Sequence, residues 1–146
     1  PPAQMQPALK AMKSIASGTP WPRVEIAMSH AGAQGSTIEA LVRDGVQGLV
    51  VVATGNGTLH TALEAALERA QEVGVVVRVA SRCPLGQIVA ASASERDGVA
   101  VPQALKRVGG LNAVKVRVDV LLELLASAAA EEGGQKAAFS QVRPAP

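Results

Sequence analysis

The sequence predicts an α/β domain: a small parallel sheet flanked by helices. Gly48-Leu49-Val50-Val51-Val52-Ala53 is a continuous apolar run of strand length, rich in β-branched residues. A strand apolar on both sides is one covered on both faces, as between two helix layers. A second run, Val75-Val76-Val77-Arg78-Val79, follows after a segment whose apolar residues recur at helical spacing. Strands alternating with helices over short connections give a parallel sheet with right-handed crossovers.

The elements follow in chain order. Val24-Glu25-Ile26-Ala27-Met28 begins just after Pro22, where the chain cannot be in mid-helix, and reads as a short strand. Ser36 or Thr37 is expected to cap a helix carrying Ile38, Leu41 and Val42 at i, i+3, i+4, closed by Asp44-Gly45. The run 48–53 is the second strand, and Thr54-Gly55-Asn56-Gly57-Thr58 is the loop leaving it. Leu59, Leu63, Ala66, Leu67, Ala70 and Val73 line one face of a helix over 59–73, stopped by Gly74, with the third strand at 75–79. In 80–111, Val101-Pro102, Gly109 and Gly110 argue for loops, with a short strand at Ile88-Val89.

Asn112 is expected to cap a last helix reaching Ala130. One apolar stripe is Val114, Val118, Leu121, Leu122 and Leu125, and Val116, Val120 and Leu124 form another beside it. A helix apolar over more than the usual ~100° arc is covered from two sides. The second stripe is therefore expected to be the exposed one, open to self-association. Flanking the body at 23–130 are a Pro-rich arm at 1–22, with a helical turn at 8–15, and a polar, Gly- and Pro-containing tail at 131–146, expected to be flexible.

Composition narrows the function. The chain has 146 residues, with 48% hydrophobic and 18% charged, and its mean hydropathy of +0.22 is too apolar for disorder. No apolar run reaches the ~18 residues of a membrane span, and no charged start precedes an apolar stretch as in a secretory signal. Cys83 is the single cysteine, which excludes an internal disulfide framework and any Cys-cluster metal site. Net charge is +2 with basic residues scattered, and only Trp21 and Phe139 are aromatic, so neither a phosphate-tracking patch nor a base-stacking platform is present.

The most visible motif is Gly55-Asn56-Gly57-Thr58-Leu59-His60, a glycine-rich loop between a strand and a helix, the context that binds phosphate or carboxylate. As a dinucleotide fingerprint it fails: His60 stands at the third glycine, and no acidic residue ends the following strand. Either it binds a ligand, or Gly55 and Gly57 make a tight turn with Thr58 as helix cap. Thr54, Thr58, Ser81 and Cys83 have no His partner identifiable by spacing, so no nucleophilic triad is legible. His30 and His60 read as loop and helix-start residues and make no zinc site, and Glu95-Arg96-Asp97 reads as a solvated turn.

Four blocks, taken together, resemble the C-terminal domain of bacterial type II L-asparaginases and glutaminase-asparaginases. They are Val24-Glu25-Ile26 with His30-Ala31-Gly32-Ala33; Gly48 through Gly57; Gly74 through Arg82; and Leu111-Asn112 with Lys115 and Arg117. The order and spacing match over residues 23–127. The resemblance implies a Rossmann-like three-layer α/β domain, packed against a larger N-terminal domain in tetramers built as dimers of dimers. It implies hydrolysis of a side-chain amide of asparagine or glutamine to acid and ammonia, without cofactor or metal. In that family the nucleophilic threonine, a second threonine and their activating aspartate and lysine belong to the N-terminal domain. No catalytic residue is therefore expected in this chain, and the chain alone is expected to be inactive.

What the resemblance assigns here is substrate binding, reaching the neighbouring subunit's active site. Asn56 is the first asparagine of a Gly-Asn-Gly-Asn motif and Thr58 stands at its second, where glutaminase-asparaginases often carry a small hydroxyl residue. Glu95, in the loop after Ser81-Arg82, matches a glutamate that holds the substrate's α-amino group. Relatives occur in both cytoplasm and periplasm, so the compartment stays open. The reading from the residues alone, a noncatalytic ligand-binding or assembly module using loop 55–58 for an anion, stands beside it.

Overall fold

The computed structural model describes residues 20–55, 57–83 and 105–140, with side chains up to residue 130 except 129. Four strands, β1 (Val24–Met28), β2 (Gly48–Ala53), β3 (Val76–Ser81) and β4 (Lys106–Val108), form one parallel sheet in the order β1-β2-β3-β4. Helices α1 (Ser36–Arg43) and α2 (Thr61–Glu72) connect the first three strands, and α3 (Ala113–Ser140) follows β4. The register runs Val24 to Gly48 to Val76, and Ala53 pairs with Ser81 at the far end.

All six residues of β2 are buried, as its unbroken apolar run requires. Leu49, Val51 and Ala53, with Val77 and Val79 of β3, pack under Ile38 of α1 and Leu63 and Leu67 of α2. On the other face, Val50, Val24 and Ala80 pack under Val116 and Val120 of α3. The result is a three-layer α/β/α domain. Because strand order follows chain order and parallel crossovers are right-handed, α1 and α2 share one face.

Close backbone approach sets the layer spacing. A Cβ at Gly48 would lie 2.7 Å from Val120 Cγ1, so α3 rests directly on the start of β2. Polar ties fix α3 around that contact. Arg78, buried on β3, donates from Nη2 to both carboxylate oxygens of Glu123 at 2.7 and 2.6 Å, and from Nη1 to its neighbour's Val77 carbonyl at 3.0 Å. Arg117 Nε donates to the Val24 carbonyl at 2.8 Å. Asn112 Oδ1 accepts the Lys115 N–H at 3.0 Å, the N-cap expected from the sequence. At the start of the sheet, Arg23 pairs with Asp44 and Glu25, and these bonds, Asp44 first, raise its already high pKa.

Several expectations need correction. Neither Ser36 nor Thr37 caps α1: Gly35 holds the N-cap position without a side-chain bond, and its Cβ would lie 2.8 Å from Ala66 Cβ. Contact with α2, not hydroxyl capping, fixes where α1 begins. Helix α2 is shorter than expected at both ends, and β3 begins one residue later and ends two residues later. Strand β4 lies in the stretch read as loops: three residues on a sheet edge carry too little period to be seen. Helix α3 runs to Ser140, beyond Ala130 and through Gly133 and Gly134. Its Ala- and Glu-rich run after Leu125 favours helix enough to carry two glycines at roughly 1 kcal/mol each. The N-terminal arm up to residue 19, its turn at 8–15, and Ile88-Val89 lie outside the described residues.

The two stripes of α3 are also exchanged in part. Val116 and Val120 are fully buried, whereas Val114 is 64% and Val118 49% exposed; Leu125 is buried as expected, and Leu124 is half-buried. Both stripes have helical period, so periodicity could not choose between them. The choice follows from the sheet, where Gly48 and Ala80 leave room for the β-branched pair.

Val120→Lys is therefore expected to unfold the domain. It would bury an ammonium without a partner, at a cost of several kcal/mol against the ~5–15 kcal/mol of a typical domain. Circular dichroism during urea titration checks this. A soluble variant with an unchanged midpoint would mean that α3 is not seated through Val120.

Candidate functional site

In an open parallel sheet, chemistry collects where the strands deliver their carboxyl ends. Here that edge carries Ser29-His30 after β1, the 54–58 loop after β2 and Arg82-Cys83 after β3. A depression elsewhere, between α1 and α2, is an open groove spanned by the exposed Glu39–Arg69 ion pair at 2.8 Å. Its polar side chains are Glu39 and Arg69, paired with each other, and Arg43, whose Nε donates to the Glu39 carbonyl at 3.4 Å.

The 54–58 loop is closed on itself. The Thr54 carbonyl accepts the N–H groups of Gly57 at 3.0 Å and Thr58 at 3.1 Å. The Thr58 carbonyl accepts the Thr54 N–H at 3.3 Å and the Thr54 hydroxyl at 3.2 Å. Gly55 and Gly57 sit at φ +47° and +94°, where a side chain would be strained, and so supply the reversal. Three amides that could have cradled an anion are thus donated within the loop.

Thr58 is exposed and is not the helix cap: α2 starts at Thr61, and His60 occupies the N-cap position without a side-chain bond. The Thr58 side chain is therefore not committed to capping. His30 is exposed, its Nδ1 2.9 Å from the Ala31 carbonyl. Both histidines are loop and helix-start residues, as their spacing suggests. Asn56 and Glu95 lie outside the described residues. Among the described residues no group of His, Cys, Asp or Glu is placed to hold a metal ion, and no helix is long and apolar enough to cross a membrane.

One residue of this edge, Ser81, has no His partner by spacing but joins two of the segments there. The Ser81 hydroxyl donates to the Gly55 carbonyl at 2.8 Å and accepts the Cys83 N–H at 3.0 Å. It ties the β2 loop to the segment leaving β3. The one signal in the sequence was its position, a small hydroxyl residue where an apolar strand ends.

The sequence profile of the glutaminase/asparaginase C-terminal domain matches residues 23–137, from the first strand well into α3. The chain belongs to this family. A probable cytoplasmic L-asparaginase from Campylobacter jejuni is similar to it in structure, with a TM-score of 0.61 and 26% sequence identity over 75% of this chain. The chain spans 32% of that protein's length. A glutaminase/asparaginase C-terminal domain is also what the sheet, its order and the helix across its back describe.

Proposed function

We propose that this chain is the substrate-orienting part of an L-asparaginase-type amidohydrolase, acting with a larger domain that carries the nucleophile. The observation that carries this reading is the family match over 23–137, joined to a glycine loop at the carboxyl edge of the sheet. The share of the Campylobacter asparaginase that the chain spans, about a third, is consistent with a part in a larger enzyme.

In this reading asparagine or glutamine binds at an edge formed by loop residues Asn56 and Thr58 together with Glu95. Glu95 pairs with the substrate's α-ammonium group. Thr58 stands beside the side-chain amide, where a short hydroxyl leaves room for either substrate. The nucleophile attacks the amide carbon, ammonia leaves, and water releases the acid. The subunits assemble as a homotetramer, a dimer of dimers, in which this domain reaches the neighbouring active site. The alternative, an anion-binding module built on loop 55–58, is disfavoured by the three amides donated within that loop.

Ammonia release from asparagine and glutamine, measured with the nucleophile-bearing half present and absent, tests the reading. The chain alone is expected to release none above background, because no positioned nucleophile is available for covalent catalysis. Turnover by the purified chain would overturn that. Upstream coding sequence holding Thr-Gly-Gly-Thr and Thr-Asp-Thr motifs would support a nucleophile-bearing domain.

Thr58→Asn in the complete enzyme is expected to raise the asparagine-to-glutamine ratio of kcat/KM, since the amide restores the Gly-Asn-Gly-Asn network. An unchanged or lower ratio would leave Thr58 as loop structure only. Glu95→Ala is expected to raise KM more than it lowers kcat, because the ion pair forms in ground and transition states alike. A charge-assisted bond of ~1.5–3 kcal/mol corresponds to a roughly ten- to hundredfold rise in KM. An unmoved KM would make Glu95 a solvated turn residue.

A further inference from the structure

We propose that Thr54 is a positioning residue for Thr58, fixing the backbone from which that side chain reaches the substrate amide; the proposal rests on the amidohydrolase reading above. The Thr58 N–H donates to the Thr54 carbonyl at 3.1 Å. The Thr58 carbonyl accepts the Thr54 N–H at 3.3 Å and the Thr54 hydroxyl at 3.2 Å. Both backbone polar groups of Thr58 are thus bound to one residue, while its side chain is exposed and does not cap α2. A backbone held on both groups presents a free side chain in one place.

Thr54 can hold Thr58 because the sheet holds Thr54. It follows Ala53, the last residue of the fully buried β2, which is paired in register with Ser81 and whose carbonyl accepts the Arg82 N–H at 3.0 Å. Between the two threonines, Gly55 and Gly57 at positive φ bring no side chain to brace the turn. The backbone bonds of the return could be made by any residue at 54 that has an N–H, but the third bond needs a hydroxyl there. Both contacts to the Thr58 carbonyl are longer than the usual range, so it is the pair that holds it. A carbonyl held from two directions resists rotation of its peptide plane, and that plane sets the direction of the Thr58 side chain.

Thr54→Val keeps the β-branched shape and leaves the Thr58 carbonyl its N–H donor, so the fold survives. In the complete enzyme it should raise KM for asparagine about threefold, toward the lower end of what one hydrogen bond supplies because both contacts are long. Loss of placement rather than chemistry should keep kcat within about twofold. Thr54→Ser, which keeps the hydroxyl, should restore KM. The decisive measurement is Thr58→Asn made in both backgrounds. Its gain in the asparagine-to-glutamine ratio of kcat/KM should be about threefold smaller in Thr54→Val, since an amide placed from a loosened backbone discriminates less. An unmoved KM, an equal rise in Thr54→Ser, or the same Thr58→Asn gain in both backgrounds would each overturn the proposal.

Amide exchange on the full chain gives a readout independent of turnover. The Thr58 N–H should exchange about threefold faster in Thr54→Val than in the unsubstituted protein, with Thr54→Ser unchanged. Equal exchange in Thr54→Val would overturn the clamp. If exchange responds as expected while Thr58→Asn leaves the ratio unmoved in the unsubstituted background, the clamp stands; the substrate role of Thr58 fails, and this proposal falls with it.

Discussion

The double burial of β2 is the constraint on which the other features depend. A strand covered on both faces needs a helix layer on each side, and it needs neighbours on both edges to satisfy its backbone. β1 and β3 supply the edges, α1 and α2 one face, α3 the other. The two sides are not equivalent. On the α1/α2 side the strand presents Leu49 and Val51, and the helices stand off on large side chains. On the α3 side it begins with Gly48, and the helix comes down onto the backbone.

What the sequence disclosed follows from that asymmetry. Strands β2 and β3 and helices α1 and α2 were legible because burial imposes period or unbroken apolarity over five or more residues, and β1 because it follows Pro22. β4 has three residues at a sheet edge, too few to carry a pattern. Which stripe of α3 faces inward was not legible, because it depends on Gly48 and Ala80, residues whose contribution is to be small. The site was legible only as a loop. The glycines announced a turn, but that Ser81 would tether it depends on how β2 and β3 align, which no spacing along the chain encodes.

The blocks that carry the family resemblance prove largely architectural. Asn112 caps α3, Arg117 holds β1, Arg78 holds Glu123, and Gly48 admits Val120. A domain can therefore be assigned to this family by how it is built.

The Arg117 contact has a consequence for how the molecule meets others. Arg23 turns its carbonyl into the sheet, accepting the Gly48 N–H at 3.1 Å, so the next carbonyl, that of Val24, faces away from β2. β1 is an end strand, and an unclaimed outward carbonyl there is the first rung of a ladder another chain could climb. The Arg117 guanidinium takes that rung and sets a permanent positive charge beside it. A foreign strand adding where the sheet begins would first have to displace that guanidinium and accept its charge alongside.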